Sequence, residues 1–459
     1  MKLIATLFAL SIASALCEFA AAGQKPNIVL IVADDLGSGD VGVHGCTDIP
    51  TPHIDSLARD GVRCSQGYVS APQCSPTRAG LLTGRYQQRF GHEHNRSYHD
   101  SAMPLTETTL AERLKAAGYA TGLIGKWHLG SDEKHHPMSR GFDEFFGFLG
   151  GANPYLPRPN GGAVPRVTRG RDDANEKEYL TDALGREAAA FVERHKEGPF
   201  FLYVAFNAPH LPLEATPKYL ERFASIEDET RRTCAAMILA MDDAVGVLLA
   251  TLESAGVEEN TLVFFISDNG GPTRQNGSRN SPLTGVKGQV HEGGIRTPFL
   301  VRWKGRLPAG KVYERPVIQL DICPTALAVA GASVPADTKF DGVNLLPYLI
   351  GGTAGDPHDV LYWRFTFPPN RPDIPRWAIR QGDWKLLSDV DSHDSDARPG
   401  HRTLKLIDLA TDPQEATDLS SRHPEKVKEL DAAWKKWSAE LVNPAPDAGG
   451  PSRRPANEG

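Results

Sequence analysis

The fold of this chain is decided by Asn27-Ile28-Val29-Leu30-Ile31-Val32-Ala33, a run that is apolar from its second residue to its last. Such a run favours a strand buried on both faces, as in a largely parallel sheet covered by helices. The run leads directly into Asp34 and Asp35. Carboxylates at the C-terminal end of a central strand stand where open α/β sheets bind ligands. A solvated turn is the alternative, because Asp is also a common turn residue.

Four later segments repeat this pattern of a buried strand, and helical segments separate most of them. The predicted strands are 120–125, 199–206, 262–267 and 299–303. The predicted helices are 53–59, 106–117, 179–195, 229–255 and 320–330. Strands that alternate with helices of this length are typical of an α/β fold. We therefore predict a large, mostly parallel sheet that is flanked by helices.

Polar side chains follow three of these strands. Lys126 and His128 follow the first, and they would share one face if the chain stayed extended there. His210 follows the second strand, and Asp268 and Asn269 follow the third. A lone Lys or His is usually a surface group, and His210 also suits a loop cap. Because the polar residues after all three strands stand at strand ends, we predict that they contribute to one site.

The segment Cys74-Ser75-Pro76-Thr77-Arg78 has the pattern of a helix N-terminus. Ser75 is a favourable N-cap and Pro76 a favourable first helical residue, so Cys74 is predicted just outside the helix. Arg78, in the first turns, would present its guanidinium to anionic oxygens. Two interpretations of Cys74 follow from the residues alone. It is a small buried apolar residue, or a thiolate nucleophile whose pKa the helix N-terminus lowers.

A third interpretation of Cys74 comes from a family resemblance. Cys-x-Pro-x-Arg at residues 74–78, followed by GLLTGR at residues 80–85, closely resembles the signature of type I sulfatases in the alkaline phosphatase superfamily. GKWHLG at residues 125–130 resembles the second signature of that family. The resemblance covers nearly the whole mature chain. It implies that a maturation enzyme converts Cys74 to formylglycine (3-oxoalanine), whose hydrate attacks sulfur in a two-step covalent reaction.

The resemblance also implies a role for each matching residue. The implied ligands of a single calcium ion are Asp34, Asp35, Cys74, Asp268 and Asn269. The implied catalytic residues are Cys74, Arg78, Lys126, His128, His210 and Lys287. Independently of the resemblance, carboxylate and amide oxygens at the strand ends favour Ca²⁺ or Mg²⁺ over zinc. The cations around them would hold an anionic tetrahedral group.

Two rival functions remain open at this stage. A phosphodiesterase or phosphonate monoester hydrolase of the same superfamily is the first. Those relatives usually carry histidine beside the second metal-binding aspartate, whereas this chain has Asn269, which favours sulfate. A non-catalytic sulfoglycan binder is the second, and it would follow if Cys74 stayed unmodified.

Three regions bear on the substrate. The segment 85–95 resembles bacterial polysaccharide sulfatases that act on galactose or N-acetylgalactosamine sulfates, although His92 and His94 also suit an ordinary polar loop. Residues 150–171 are rich in Gly, Pro and Arg and have no periodicity, which predicts a substrate-facing insertion or lid. His291 stands where many relatives carry an aromatic residue, so its role is open. We predict a sulfated carbohydrate substrate.

The N-terminus predicts export to the periplasm or the extracellular space. Residues 1–23 combine Lys2, an apolar run and small residues at a cleavage site, as in a secretory signal. Cys17 raises the alternative of a lipid anchor, but the large Leu16 before it argues against lipidation. No other stretch is apolar enough to predict stable membrane insertion. Five cysteines remain after cleavage, and their pairing is open: Cys46, Cys64, Cys74, Cys234 and Cys323.

Length and charge set the remaining limits. The 459 residues carry a net charge of −7, which predicts no general attraction for nucleic acid. After the signal we predict a catalytic domain at 24–350, a C-terminal subdomain at 351–443 and a disordered tail at 444–459. Short strands at 360–363, 377–380, 384–387 and 404–408, followed by a helix, predict an α+β subdomain with an antiparallel sheet.

Overall fold

The computed structural model describes residues 25–95, 102–365, 376–389 and 403–442. The predicted signal sequence with Cys17, and the predicted tail at 444–459, lie outside the described residues.

The described elements are as follows. The strands are β1 (Asn27–Ala33), β2 (Val62–Cys64), β3 (Gly67–Tyr68), β4 (Ala120–Lys126), β5 (Glu144–Phe148), β6 (Thr168–Arg169), β7 (Asp172–Asp173), β8 (Phe200–Ala205), β9 (Thr261–Ser267), β10 (Phe299–Arg302), β11 (Lys311–Tyr313), β12 (Val317–Ile318), β13 (Val360–Phe365), β14 (Arg376–Gln381), β15 (Trp384–Asp389) and β16 (Thr403–Asp408). The α-helices are Pro52–Arg59, Cys74–Thr83, Leu110–Ala116, Leu180–His195, Pro217–Leu220, Glu229–Ser254, Glu292–Ile295, Ile322–Ala330, Leu346–Leu349 and Pro424–Ala439. Short 3₁₀ helices lie at Ser38–Asp40, Gly42–His44, Gln87–Phe90, Pro137–Ser139, Glu221–Phe223, Glu258–Asn260 and Gln319–Asp321.

The large sheet has the strand order β11-β2-β10-β9-β1-β8-β4-β5-β6-β7. The strands from β9 to β5 in this order are all parallel, with β1 between β9 and β8. Both flanks turn antiparallel, at β9–β10–β2 on one side and at β5–β6–β7 on the other. The predicted α/β fold is therefore confirmed, with a parallel centre inside a mixed sheet.

The apolar run of β1 is buried on both faces, as predicted. Val29, Ile31 and Ala33 belong to one core cluster, which includes the helices Leu180–His195 and Glu229–Ser254. The alternate residues of β1 belong to a second cluster, on the Cys74–Thr83 helix side of the sheet. Because successive strand side chains point to opposite faces, two helical layers require an uninterrupted apolar strand.

Two helices begin later than the sequence predicted. The helix expected from residue 106 begins at Leu110, because Thr109 is its N-cap and forms a capping box with Glu112. The helix expected from residue 320 begins at Ile322, after a 3₁₀ turn at Gln319–Asp321. In the first case a capping side chain, and in the second a preceding 3₁₀ turn, sets the first residue instead of the apolar spacing.

The helix Glu229–Ser254 differs from the prediction that no stretch beyond the N-terminal run is apolar enough to span a membrane. By length and composition it passes that test, with 26 residues and a mean hydropathy of 1.8 in its most apolar window. However, 78% of that window is buried inside the protein. A Cβ added at Gly185 of the neighbouring helix would lie 2.8 Å from the Cβ of Ala244. Close packing in the core therefore accounts for the apolar composition.

The C-terminal subdomain is the predicted antiparallel sheet with a helix. Strands β13 to β16 pair in sequence order, each antiparallel to the next. The helix Pro424–Ala439 covers the sheet, and Trp434 stacks on Trp377 with ring centroids 4.3 Å apart. Trp363 Nε1 donates a hydrogen bond of 2.7 Å to the carbonyl of Val69. This bond fastens the small sheet to the large unit.

Candidate active site

The polar residues predicted at strand ends meet at one edge of the sheet. Strands β9, β1, β8 and β4 are neighbours and parallel, so their C-terminal ends open on the same side. The backbone pairing continues past β1, because Asp34 N donates to Ala208 O and Asp268 N donates to Ala33 O. The acidic and amide side chains at this edge are at most 2% exposed; they are Asp34, Asp35, Asp268 and Asn269.

Asp34 lies at the centre of the site. Lys126 Nζ is 2.6 Å from Asp34 Oδ2, and the thiol of Cys74 lies 3.3 Å from Oδ1. Burial acts to raise the pKa of Asp34, but the charges of Lys126, His210 and Arg78 outweigh it and hold the pKa well below its usual range. Asp34 therefore remains a carboxylate at neutral pH.

Arg78 anchors the second carboxylate. Its Nε and Nη2 donate to Asp268 Oδ2 at 2.9 and 2.7 Å, and Nη1 donates to the hydroxyl of Tyr203 at 3.3 Å. Burial, together with the negative charge of Asp34, raises the pKa of Asp268 to about 6. A positive charge among these carboxylates would relieve their mutual repulsion.

Lys287 connects the third carboxylate to Cys74. Its Nζ lies 2.7 Å from Asp35 Oδ1 and 3.3 Å from Cys74 Sγ. The contact with Asp35 raises the pKa of Lys287 well above its ordinary value, although burial acts to lower it. Cys74 Sγ thus lies between a carboxylate oxygen of Asp34 and an ammonium group.

Cys74 is the first residue of the helix Cys74–Thr83, and Gln73 is its N-cap. The prediction that Ser75 is the N-cap residue and that Cys74 lies just outside the helix was therefore wrong. The Ser75 hydroxyl instead donates to His128 O at 2.6 Å and contacts His92 Nε2 at 2.7 Å. Burial, with the charges of Asp268 and Asp34, raises the pKa of the Cys74 thiol. The raised pKa argues against a thiolate nucleophile at residue 74. The contacts with Asp34 and Lys287 argue against a purely apolar packing role for Cys74.

The site fits a hard divalent cation. Ligand atoms of Asp34, Asp35, Cys74 and His210 all lie within 4.8 Å of one another. Asn269 adds a carbonyl oxygen, Oδ1, that is buried and accepts no hydrogen bond from the described residues. A buried acceptor without a donor is costly, and a cation would satisfy it. The carboxylate oxygens of Asp34 and Asp35 and the amide oxygen of Asn269 suit Ca²⁺ or Mg²⁺ better than a softer metal.

The two histidines flank this group, although not as the sequence predicted. His128 has φ +59, so the chain is not extended there and it does not share a strand face with Lys126. The His128 ring is buried, and its Nδ1 has no hydrogen-bond partner in the described part of the chain. Burial and the charge of Lys126 hold the pKa of His128 well below its ordinary value. A neutral imidazole with a free ring nitrogen can accept a proton.

His210 lies next to Asp35. Its Nε2 is 3.7 Å from Asp35 Oδ2, and its Nδ1 is 2.7 Å from Leu211 O. Burial lowers the pKa of His210, against the attraction of Asp34. All the residues predicted at the site are therefore brought together around Cys74.

Sequence reasoning missed several supporting residues. Tyr203 holds Arg78, and Asn276 Nδ2 donates to the carbonyls of Asp35 and Pro209 at 3.4 and 3.3 Å. Tyr155 donates its hydroxyl to the carbonyls of Asn207 and His210. Isolated polar residues far apart in the chain give no periodic signal.

Three further histidines and the cysteines were also singled out in the sequence. His92 and His94 are nearly buried, at 4% and 6% exposure, which excludes a plain solvent-exposed loop. His291 is the N-cap residue of the helix Glu292–Ile295 and is 7% exposed. The five cysteines of the described residues are free thiols, so no disulfide links them.

Comparisons with known proteins give one consistent family. The family model named Sulfatase matches residues 26–332. A second model, described as N-sulphoglucosamine sulphohydrolase, C-terminal, matches residues 286–440. Together these matches extend over both the large sheet and the C-terminal subdomain.

Individual relatives are similar over nearly their whole length. Steryl-sulfatase from Rattus norvegicus is 32% identical, with 90% of this chain and 88% of the relative covered. N-acetylgalactosamine-6-sulfatase from Canis lupus familiaris is 34% identical, with 87% and 83% covered. The crystal structure of Ps i-CgsB in complex with k-i-k-neocarrahexaose superposes with a TM-score of 0.85 at 37% identity, with 92% of this chain and 95% of that chain covered.

Proposed function

This chain belongs to the sulfatase family and is a sulfuric ester hydrolase, and from that premise we propose that it removes sulfate from a carbohydrate of the galactose or N-acetylgalactosamine sulfate type. Two of the relatives support this substrate class. One is named for N-acetylgalactosamine 6-sulfate, and the other was crystallised with a neocarrahexaose. The observation that carries the proposal is the position of Cys74 Sγ, 3.3 Å from both Asp34 Oδ1 and Lys287 Nζ.

We assign one calcium ion to the cluster of carboxylates at the strand ends. The residues that would hold it are Asp34, Asp35, Asp268 and Asn269, with the modified residue 74. The buried free oxygen of Asn269 and the close approach of Asp34 and Asp35 support this assignment. When bound, calcium supplies positive charge that polarises the sulfate ester and favours ionised oxygen nucleophiles.

We further propose that Cys74 is converted to formylglycine by a maturation enzyme. The aldehyde supplies a geminal diol as the nucleophile in place of a thiol. The raised pKa of the Cys74 thiol supports this proposal, because an unmodified thiol in this setting would be a poor nucleophile at neutral pH.

The surrounding side chains then have separate tasks. Lys287 contacts residue 74 directly, and Lys126 contacts Asp34, which is itself in contact with residue 74. Both lysines would supply positive charge where the sulfate oxygens bind. Arg78 holds Asp268 in place through two hydrogen bonds.

Proton transfer is assigned to the histidines. His128 is neutral and has a free Nδ1, so it is suited to take a proton from the nucleophile hydroxyl. His210, whose Nε2 lies 3.7 Å from Asp35 Oδ2, would protonate the leaving alcohol in its imidazolium form.

We propose that the enzyme acts after export, in the periplasm or outside the cell. The apolar N-terminal segment with its small-residue cleavage site supports this assignment. Polymeric sulfated carbohydrates are met outside the cytoplasm, which agrees with the proposed substrate class. Measuring activity in fractionated cells, with and without residues 1–23, tests the location.

The experiment that tests the function is a screen of defined sulfated sugars. Purified protein, produced with a maturation enzyme and supplied with calcium, is incubated with galactose and N-acetylgalactosamine sulfates that differ in sulfate position. Released sulfate is measured by ion chromatography, with Cys74→Ala as the inactive control. Sulfate release from at least one such sugar is expected. Activity on aryl sulfates but on none of the sugars would contradict the carbohydrate assignment.

A further inference from the structure

The loop at residues 150–171 lies directly against the active site. A Cβ added at Gly151 would lie 2.6 Å from His128 Nε2, so the backbone of this loop contacts the buried imidazole ring. The loop is also attached to the end of β8, because Asn207 Nδ2 donates to Asn153 O at 3.4 Å. Residues 151–153 therefore form one wall of the site, beside the group assigned to proton transfer.

Arg166, on the return half of the loop, is held against this wall. Its Nε donates to Asn153 Oδ1 at 3.2 Å and its Nη2 to Ala152 O at 3.5 Å. Asn153 is 1% exposed, so the group that orients the guanidinium is itself fixed. Arg166 also has φ +61, a backbone conformation that a residue with a Cβ rarely adopts. Such strained residues persist where the surrounding structure requires them, often at ligand sites.

The guanidinium of Arg166 makes no ion pair with the described residues. Both partners of its guanidinium are neutral oxygens, and no carboxylate in the described residues pairs with it. Two other arginines nearby behave differently, because Arg169 pairs with Glu187 at 2.7 Å and Arg171 with Glu133 at 2.6 Å. The chain has 57 acidic residues against 50 lysines and arginines, so acidic partners are plentiful.

The free edge of Arg166 fits an oxyanion. Nη1 makes no hydrogen bond to the described residues, and Arg166 is exposed to solvent. A guanidinium edge of this kind binds the oxygens of a sulfate or carboxylate through two parallel hydrogen bonds. Because Nε and Nη2 are bonded to Asn153 and Ala152, the edge of the guanidinium that carries Nη1 is directed away from the wall.

We propose that Arg166 forms a second anion subsite, which binds a further sulfate or carboxylate group on the carbohydrate that carries the scissile sulfate. The inference rests on the proposed function and extends it from a sulfated sugar to a multiply anionic one. Sulfate and carboxylate are both oxyanions of similar size, so the structure assigns an oxyanion subsite. The substrates of the test distinguish sulfate from carboxylate.

The test compares Arg166→Gln with the wild-type enzyme on four substrates. These are an aryl sulfate, an oligosaccharide with only the scissile sulfate, the same oligosaccharide with a second sulfate on the adjoining residue, and one with a carboxylate there. We expect KM to rise roughly tenfold for one or both doubly charged substrates, with kcat and both singly charged substrates unchanged. A change in the carboxylate arm alone, or in the sulfate arm alone, identifies the anion.

Two matched variants complete the design. Arg166→Lys keeps the charge but loses the planar fork, so it should restore only part of the affinity. Arg158→Gln removes an equal charge from the same loop and should leave KM unchanged. An equal KM increase in Arg158→Gln would show a general charge effect and contradict the subsite. An equal loss on the singly charged substrates would contradict it as well.

A binding measurement separates this proposal from the proposed function. Affinity of the doubly charged oligosaccharides is measured by calorimetry on Cys74→Ala, with and without Arg166→Gln, and needs no turnover. A roughly tenfold weaker Kd in the double variant supports the subsite even if the scissile position has been misassigned. Equal affinities of the two proteins would overturn the subsite while leaving sulfate release by the wild type intact.

Discussion

The side-chain amide of Asn269 is hydrogen-bonded through its nitrogen, whereas its oxygen has no partner among the described residues. Its Nδ2 donates to Asp35 Oδ1 at 2.6 Å, while its buried Oδ1 accepts no hydrogen bond from the described residues. The hydrogen bond to Asp35 fixes the orientation of the amide, and therefore also the position of its free oxygen. This relationship underlies the calcium assignment.

The first prediction therefore concerns calcium. Asn269→Ala removes the free oxygen and should weaken calcium binding roughly tenfold or more, together with turnover, because one ligand of a small set is lost. Calorimetric titration of calcium into metal-depleted protein measures the effect. Asn344→Ala is the control, since the side chain of Asn344 accepts from Leu346 N before the helix Leu346–Leu349 and bonds to none of the assigned ligands. Unchanged calcium affinity in Asn269→Ala would remove this residue from the site.

The second prediction concerns the nucleophile. Cys74→Ala should fold as the wild type does and lose turnover by several powers of ten, because covalent catalysis is lost. Cys74→Ser should behave in the same way in a host whose maturation enzyme accepts only cysteine. Cys323→Ala, which changes another fully buried free thiol, should keep its activity. Activity like that of the wild type in either Cys74 variant would exclude formylglycine chemistry.

The third prediction concerns the contact between the loop and His128. Gly151→Ala places a Cβ 2.6 Å from His128 Nε2, so the ring must move, and kcat should fall roughly ten- to a hundredfold. Gly150→Ala is a close control, because its Cβ would approach nothing nearer than Ala152 O at 3.8 Å. Steady-state kinetics of the two variants measure the difference. Equal kcat values would show that the position of His128 does not limit turnover.

The fourth prediction concerns a buried ion cluster between the two sheets. Lys385 Nζ lies 2.8 Å from both Glu292 and Glu415. Burial, together with the charge of Glu292, raises the pKa of Glu415 from 4.5 to about 7, although Lys385 opposes the rise. The folded protein thus keeps a proton that the unfolded chain releases at lower pH. This contribution to stability is complete below pH 4.5 and is lost as the pH rises towards 7.

Glu415→Gln should remove that pH dependence. Denaturant unfolding of the variant between pH 4.5 and 7 should show a flatter profile of unfolding free energy than that of the wild type. Glu425→Gln, an exposed glutamate in the C-terminal helix, should leave the wild-type profile intact. A profile in Glu415→Gln as steep as that of the wild type would show that Glu415 is ionised in the folded protein.

Much of the fold could be predicted because it follows from apolar periodicity. The run at β1 and the similar runs at β8 and β9 are buried on both faces, and this alone requires a helix-covered parallel centre. The antiparallel flanks could not be predicted. Strands such as β6 and β7 are two residues long, too short for any alternation to be visible. The pairing of β6 with β5 also depends on residues distant in sequence, such as Phe146 and Arg169.

The site could be predicted as a set of residues but not as a geometry. Its carboxylates and cations stand at strand ends or in recognisable motifs, so each could be named. The left-handed backbone of His128 and the hydroxyl bonds of Ser75 depend on the tertiary packing around them. Tyr203 and Asn276 were missed for the same reason, since their partners are distant in sequence.

The most direct test of the account is the ratio of kcat/KM for an aryl sulfate to that for the matching aryl phosphodiester, measured on calcium-loaded, matured enzyme. The neutral amide of Asn269 cannot titrate, whereas a histidine in that position could. The account predicts a preference for the sulfate of at least about a hundredfold, roughly 2.7 kcal/mol of differential transition-state binding. Equal values, or a preference for the diester, would contradict it.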